Sequence, residues 1–287
     1  MQQATERAGT VRPVNRRPTR KLPFPLNLYQ TAVGKKWVMA LTGIALLGYV
    51  LAHMVGNLKL YYGVESINHY GEWLRELAVP ALARTQALWL LRIGLIVAFV
   101  LHIHSAYALT MMNRRARPVG YQSDRDYIAA DFASRTMRWS GIIVGLFVVW
   151  HLADITWGWV NPDHVLGDPY HNVVESFSVL PIALFYVVAN LLLGVHIYHG
   201  AWSIFQSLGA NNPRLNGVRR PFATAFAAII VIGNVSFPIA VQLGIVDEDN
   251  RTTPLADEVE DDQPEVEGDT VEAAPADLVI TISEAAR

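Results

Sequence analysis

Five long apolar stretches dominate the sequence, at 36–61, 85–112, 137–160, 180–207 and 221–245. Each exceeds the roughly 20 residues that a helix needs to cross a bilayer at about 1.5 Å per residue. Inside lipid, a helix is the only open-ended element that satisfies its own backbone hydrogen bonds. Charged residues make up only 17% of the chain, below the share of about one quarter that is typical of soluble proteins. The sequence therefore predicts an all-α integral membrane bundle of five transmembrane helices.

The two ends differ in charge from the membrane domain, which we assign to 35–246. The segment 1–34 is basic and rich in proline, and it lacks the apolar core of a signal peptide, so we predict a cytoplasmic tail. Residues 247–287 hold 14 of the 25 acidic residues and are low in aromatics, which predicts a disordered acidic tail. Cysteine is absent, which excludes disulfides and thiolate metal ligands supplied by this chain alone.

The distribution of positive charge predicts the orientation, because Lys and Arg concentrate in cytoplasmic loops. The N-terminal tail is basic, the second loop carries five arginines between 114 and 135, and the fourth loop carries Arg214, Arg219 and Arg220. By contrast, the third loop, 161–178, contains no Lys or Arg. We therefore expect a cytoplasmic N-terminus and, after an odd number of spans, an outside C-terminus.

The histidines are the most informative residues inside the predicted spans. Six of the nine lie there: His53 in the first span, His102 and His104 in the second, His151 in the third, and His196 and His199 in the fourth. Ionisable side chains are costly in hydrocarbon and usually mark a pathway or a cofactor. The alternative is a neutral histidine that hydrogen-bonds to a neighbouring helix, which suits a single histidine better than a set spread over four helices.

Depth sorts four of these histidines into two layers. At about 1.5 Å per residue, His53 and His151 lie roughly 24 and 18 Å from the cytoplasmic ends of their helices. His102 and His196 each lie roughly 15 Å from the cytoplasmic ends of theirs. Two facing histidines from different helices are what a haem with two axial imidazoles requires, and helix bundles commonly hold such cofactors. We therefore predict an outer pair, His53 with His151, and an inner pair, His102 with His196.

Two of the spans offer a choice between histidines. His102 and His104 point about 200° apart around a helix, so only one of them faces the bundle. His196 and His199 share one helix face, one turn apart. Small residues near these positions would give room for a macrocycle or simply let helices pack closely; they are Gly43, Gly48, Gly56, Ser105, Gly194 and Gly200.

Five segments together resemble a known family. They are 38–57 (VMALTGIALLGYVLAHMVGN), 70–77 (YGEWLREL), 91–110 (LRIGLIVAFVLHIHSAYALT), 150–158 (WHLADITWG) and 190–209 (NLLLGVHIYHGAWSIFQSLG). Their order, spacing and placement on the spans resemble the cytochrome b membrane anchor of succinate dehydrogenase/fumarate reductase. The resemblance is to the single-chain, five-helix, two-haem form, as found in actinobacteria.

This resemblance implies a cofactor set and a group of partners. The family's axial ligands of haem iron fall on His53, His102, His151 and His196, so two haem b groups are expected, along with a quinone, usually menaquinone. A flavoprotein subunit and an iron–sulfur subunit would bind on the cytoplasmic side of a bacterial plasma membrane, and the complex could form a higher oligomer. The chain itself would hold no flavin or succinate site, and nothing in it suggests nucleic acid as a partner.

Further polar residues are candidates for the quinone and for the haem propionates. Arg92 could bind a propionate or form an ion pair with Asp154, one turn beyond His151. The first outer loop contains an amphipathic turn whose side chains could relay protons to a quinone, namely His69, Tyr70, Glu72 and Glu76. His199 is an alternative quinone residue on the inner side. Lys59 is interpreted as an anchor at the membrane interface.

Three other interpretations of the histidines remain open at this stage. The chain could be a cytochrome b anchor of another membrane dehydrogenase or of a hydrogenase. It could be a proton or ion transporter that uses buried histidines and Asp154, although no inverted repeat or broken helix pair is apparent. Imidazole pairs can also hold iron in a Rieske-type iron–sulfur centre, whose thiolates would then come from another chain.

Overall fold

The structure is a computed structural model that describes residues 22–24, 26–116, 130–210 and 212–248. Its elements are the helices α1 (Leu26–Tyr29), α2 (Ala32–Asn57), α3 (Val64–Arg75), α4 (Gln86–Ala116), α5 (Ala130–His151), α6 (Pro169–Ser178), α7 (Leu180–Ser207) and α8 (Pro213–Gln242). A 3-10 turn, Leu58–Tyr62, extends α2, and a π-helical turn, Leu152–Thr156, extends α5. These described segments contain no β-strand. The first 21 residues of the predicted basic tail, the 117–129 part of the second loop and the acidic tail beyond 248 lie outside them.

Five helices are long and apolar enough to cross a bilayer, with mean hydropathy between 1.5 and 2.1. They are α2 with its 3-10 turn, α4, α5 with its π turn, α7 and α8. The predicted all-α bundle of five membrane helices is therefore confirmed. Large apolar side chains cover the outside of the bundle, as at Leu90, Ile93 and Leu146. Such a surface is compatible with lipid and not with bulk water.

The fifth membrane helix begins earlier than its hydropathy predicts. The sequence placed this span at 221–245, but α8 starts at Pro213 and therefore includes Arg214, Arg219 and Arg220. The Asn212 side chain caps the helix by accepting a hydrogen bond from Leu215 N at 2.9 Å, and proline is favourable at the first helical position. The arginines assigned to the fourth loop thus lie on the first turns of a helix.

Helix α7 lies at the centre of the bundle and packs against α2, α5 and α8, while α2 also packs against α4. Two buried apolar clusters stabilise this arrangement. One includes Tyr170, Phe177, Tyr186 and Phe237, and joins α6 to α7 and α8. The other includes Met54, Ile197 and Ile230, and joins α2 to α7 and α8. Since every membrane helix except α8 carries a candidate histidine, the packing around α7 determines which histidines meet.

Two shorter helices cover one end of the bundle. The amphipathic turn predicted in the first outer loop is a helix of 12 residues, α3. The third loop, in which the sequence analysis predicted no helix, contains α6, whose N-cap Asp168 accepts a hydrogen bond from His171 N. Asn68 of α3 donates to Asp168 Oδ1 at 3.1 Å and accepts from Tyr170 N at 3.3 Å. These bonds fix α3 against α6 at the end predicted to face outside.

Candidate functional site

The outer pair of histidines meets inside the bundle. His53 lies in α2 and His151 is the last residue of α5, and their ring centroids are 5.8 Å apart with the ring planes at 69°. Metal–imidazole nitrogen bonds are about 2 Å long, so two imidazoles that bind one metal from opposite sides have centroids about 6 Å apart. The observed separation is therefore compatible with a metal ion held between the two rings.

Each ring of the outer pair is anchored through Nδ1. Asn57, one turn further along α2, places its amide nitrogen 2.9 Å from His53 Nδ1. The Tyr186 hydroxyl of α7 lies 3.5 Å from His151 Nδ1. This hydroxyl also donates to Asp154 Oδ2 at 2.7 Å, so the Tyr186 hydroxyl links the Asp154 carboxylate to His151.

The inner pair is anchored by a shared local arrangement. His102 Nδ1 of α4 lies 3.1 Å from the Met39 carbonyl oxygen and 3.3 Å from Thr42 Oγ1, both in α2. His196 Nδ1 of α7 lies 3.2 Å from Ser140 Oγ in α5. In both helices a glycine follows the hydroxyl residue, Gly43 after Thr42 and Gly141 after Ser140. The histidine lies on the neighbouring helix in each case.

The two glycines that follow, Gly43 and Gly141, let the inner rings approach these helices. A Cβ atom at Gly43 would lie 3.4 Å from His102 Cε1, and one at Gly141 would lie 3.2 Å from His196 Cε1. The other small residues that were proposed to make room for a macrocycle do not contact the paired histidines. Gly56 contacts Tyr70, Gly194 contacts Val231, and Gly200 lies near Met137. Ser105 contacts Tyr29, and Gly48 has no neighbour within 4 Å.

In α2 and in α5, the hydroxyl residue that contacts an inner histidine precedes the outer histidine by the same number of residues. Thr42 precedes His53 by 11 residues in α2, and Ser140 precedes His151 by 11 residues in α5. Eleven residues make about three helical turns, so both residues lie on one face about 16 Å apart along the axis. The sequence analysis recognised the histidines but missed the hydroxyl–glycine pairs, and this spacing is the signal that could have found them.

The Nε2 atoms of the four paired histidines share a further property. Within the described residues, none of them has a hydrogen-bond partner, whereas all four Nδ1 atoms do. A metal-bound histidine commonly uses one ring nitrogen as ligand while the other bonds to an oxygen that fixes its orientation. The chemistry of this donor set therefore fits haem iron with axial imidazoles.

The second histidine of each doublet has a different environment. His104 is exposed on the other side of α4, where its Nδ1 lies 2.6 Å from the Tyr29 hydroxyl. His199 is only 8% exposed, and its Nδ1 has no hydrogen-bond partner among the described residues. Nearby Trp202 carries the Arg220 guanidinium over its ring at 5.2 Å. His199 thus lies in a polar region near the end of α7.

The structure does not bring Arg92 and Asp154 together. The Arg92 guanidinium lies over the Trp89 ring at 5.1 Å, and the Asp154 carboxylate accepts hydrogen bonds from Ser176 and Tyr186 instead. The ion pair that the sequence analysis considered is therefore wrong, because Asp154 points toward α6 and α7. The role of Arg92 toward a propionate stays a prediction.

The quinone candidates of the first outer loop all lie on or next to α3. His69 and Glu76 are exposed, and Glu72 forms ion pairs with Arg75 and Arg84. The Tyr70 ring packs directly over Gly56, stacks on Trp73 at 5.8 Å and lies 5.8 Å from Lys59 Nζ. Since Gly56 follows His53 by less than one turn, Tyr70 of α3 contacts the end of α2 that carries His53.

A second polar cluster, which the sequence analysis missed, lies outside the membrane helices. His171 and Glu175 of α6 and Glu248 after α8 place their ligand atoms within 4.8 Å of one another. His171 Nδ1 is 2.8 Å from Glu248 Oε1 and its Nε2 is 2.9 Å from the Asp163 carbonyl oxygen. Burial lowers the pKa of His171, but these hydrogen bonds and the negative charges outweigh it, so the pKa is raised.

Comparison with known families gives one match. Residues 129–235 match the model of the succinate dehydrogenase/fumarate reductase transmembrane subunit. The matched segment contains α5, α6 and α7 and most of α8, and so includes Ser140, His151 and His196. No curated protein and no solved structure gives a significant match. Over these 107 of its 287 residues, the chain is similar to the transmembrane subunits of succinate dehydrogenase/fumarate reductase.

Proposed function

We propose that the chain is the membrane anchor and electron-transfer subunit of a succinate:quinone oxidoreductase. In this proposal His53 and His151 hold an outer haem b, and His102 and His196 hold an inner one. Haem b, when bound, supplies the one-electron chemistry that connects an iron–sulfur subunit with a quinone, menaquinone in the two-haem form that the sequence resembles. The chain supplies ligands and an electron path, whereas a flavoprotein subunit carries the site that acts on succinate.

The observation that carries this proposal is that all four imidazoles have a partner at Nδ1 and none at Nε2 within the described residues. A histidine can offer Nε2 to iron only if its proton lies on Nδ1, and an acceptor must then hold that proton. The Met39 carbonyl oxygen and the hydroxyl oxygens of Ser140 and Tyr186 can accept it. Asn57 can do the same when its amide oxygen is turned toward His53.

The surrounding side chains limit what these histidines can do. They lie within membrane helices, where a charged imidazole would be costly, so a neutral ring with a fixed tautomer is favoured. Gly43 and Gly141 keep the inner rings close to α2 and α5. A proton channel needs side chains that release and accept protons in turn, whereas the oxygen atoms beside His102, His151 and His196 hold the Nδ1 proton in place.

The quinone and the partner subunits belong to opposite ends of the bundle in this proposal. Helix α3 contacts the end of α2 that carries His53, and its His69, Tyr70 and Glu72, with Glu76 directly after it, provide groups that exchange or donate protons. His199 is the alternative quinone residue toward the inner end. The basic cytoplasmic segments would bind the iron–sulfur subunit, and with it the flavoprotein subunit, at a bacterial plasma membrane.

A reduced-minus-oxidised absorption spectrum of the purified complex tests the proposal. We expect haem b bands and two haems for each copy of this chain. His102→Leu and His196→Leu should each remove the inner haem and leave the outer one at least partly bound. His104→Leu is the matched control, because this exposed histidine on the same helix bonds to Tyr29. A wild-type complex without haem b bands, or a control that loses haem as His102→Leu does, would contradict the assignment.

A further inference from the structure

The π-helical turn after His151 contains a buried acid that the family assignment does not explain. From its surroundings we infer that Asp154, acting through Tyr186, is a positioning residue that holds the Nδ1 proton of His151 and lowers the reduction potential of the outer haem. This inference rests on the proposed function, because it assigns a role toward the metal that His151 would bind. It adds a residue to the site that none of the axial ligands identifies.

The contacts form a continuous chain from the acid to the ligand. Asp154 is fully buried, with 0% of its surface exposed. Its Oδ2 accepts hydrogen bonds from Tyr186 Oη at 2.7 Å and from Ser176 Oγ at 2.6 Å. Because the Tyr186 proton is donated to the carboxylate, the lone pairs of its oxygen face His151 Nδ1, 3.5 Å away. The tyrosine can therefore only accept from His151.

This buried acid contributes little as a structural element. Burying a carboxylate costs more than neutral hydrogen bonds return unless all of its lone pairs are satisfied. Asp154 Oδ1 has no hydrogen-bond partner within the described residues. Helix geometry is also disturbed at this point, since Leu152–Thr156 forms a π turn, and such turns are frequent at functional sites.

A small cleft connects Asp154 with the outer surface. It has a volume of about 90 Å³, and Asp154 and Ser176 lie at its buried end while Asp163 and Glu175 lie nearer its mouth. A water molecule occupies about 30 Å³ in the liquid, and a buried water needs several polar partners. The cleft has both the volume and the polar groups for water beside Oδ1. Water in the cleft can thus solvate the Asp154 carboxylate, although the protein encloses this group.

The direction of the effect follows from charge. A carboxylate that accepts the Tyr186 proton makes the phenol oxygen a stronger acceptor, and this oxygen in turn makes His151 a more basic ligand. A more basic ligand and a nearby negative charge both favour oxidised iron over reduced iron. The inner histidines bond to the carbonyl groups of Met39 and Met137 and to the hydroxyl groups of Thr42 and Ser140. Within the described residues, no carboxylate hydrogen-bonds to these partners. The effect should therefore be confined to the outer haem.

Redox titration of the assembled complex, followed by haem b absorption, tests this inference. Asp154→Asn and Tyr186→Phe should each raise the midpoint potential of one haem, the one lost in His53→Leu, and leave the other unchanged. We expect at least a tenfold change in the ratio of oxidised to reduced haem at fixed potential, which is about 59 mV for one electron. The double variant should shift no further than the larger single shift, because both changes break one chain of bonds.

Asp163→Asn is the matched control, since this aspartate shares the cleft but is exposed and does not touch Tyr186. It should leave both potentials unchanged. Unchanged potentials in Tyr186→Phe would overturn the inference, whatever Asp154→Asn does, because a shift in the latter alone is a direct effect of charge. If Asp154→Asn does not assemble, Tyr186→Phe still decides the question. A wild-type complex without haem would instead contradict the proposed function.

Discussion

At the scale of single residues, the two inner histidines are held in the same way. His102 has two oxygen neighbours, the Met39 carbonyl at 3.1 Å and the Thr42 hydroxyl at 3.3 Å. His196 likewise has the Ser140 hydroxyl at 3.2 Å and the backbone carbonyl of Met137. Ser140 is itself fixed, since its hydroxyl donates to the Met137 carbonyl at 3.1 Å. Each inner ligand therefore has one side-chain partner and one backbone partner.

This shared arrangement leads to a prediction about two matched substitutions. Ser140→Ala removes the hydroxyl beside His196 Nδ1 but leaves the Met137 carbonyl, so we expect weaker retention of the inner haem, by about 10-fold, the lower end of the range for partners of metal-bound histidines. Thr42→Val should weaken retention to a similar extent, because the Met39 carbonyl likewise still orients His102. The measurement is the rate at which each purified variant loses haem to an excess of an apo haem-binding protein. Haem loss at the wild-type rate in both variants would show that the hydroxyl groups do not hold the ligands.

At the scale of secondary-structure elements, hydropathy predicts the helices that cross the membrane. It does not predict helices, or ends of helices, that lie outside the membrane. All five membrane helices follow from apolar length alone, because lipid allows few alternatives to a helix. Helix α6 was missed because it has only ten residues, half of them polar, and its Asp168 cap resembles a loop residue. The early start of α8 was missed because the Asn212 cap and Pro213 stand before basic residues that look like a loop.

The candidate site was predictable to a similar extent. The two histidine layers follow from the rise per residue, which is a local property of a helix. The anchors do not, because they depend on which helices pack together. Ser176 and Tyr186 reach Asp154 from 22 and 32 residues away, and no local pattern indicates which partner the acid has. The incorrect pairing of Asp154 with Arg92 arose from depth alone, without knowledge of the side on which α6 and α7 lie.

Contacts between elements also give a prediction about pH. His171 of α6 bonds to Glu248 after α8, and its folded-state pKa is raised above the ordinary value of 6.5. The stabilising contribution of this pair is therefore fully present below the unfolded pKa and is lost as the pH rises through the raised, folded value. We expect amide hydrogen exchange at 245–248, corrected for its intrinsic pH dependence, to increase across that window. His171→Gln should abolish this pH dependence, and a wild-type profile that stays flat would refute it.

At the scale of the whole molecule, an odd number of spans places the two ends of the chain on opposite sides. The described part of the chain contains five membrane helices, which predicts an odd number of spans, and the distribution of arginine predicts the direction. A reporter that becomes labelled only outside the cell should be labelled when fused after Val246 and protected when inserted in the loop between α4 and α5. Labelling of both positions, or of neither, would contradict an odd number of spans; the reverse pattern would invert the orientation.

The two layers also predict how electron flow divides across the molecule. His102 and His196 lie on the side predicted to face the iron–sulfur subunit. His53 and His151 lie toward the opposite side, where α3 and the outer quinone candidates are found. His53→Leu should therefore spare succinate oxidation by soluble dyes, which accept electrons directly from the hydrophilic subunits, and should impair reduction of quinone. The paired activities are measured on membranes that contain the assembled variant, after loss of the outer haem has been verified.

The control is Glu65→Gln, an exposed change on α3 outside both histidine layers, which should leave both activities unchanged. Full activity of His53→Leu with both acceptors would place the quinone at the inner end, where the buried His199 has an Nδ1 atom without a partner in the described part of the chain.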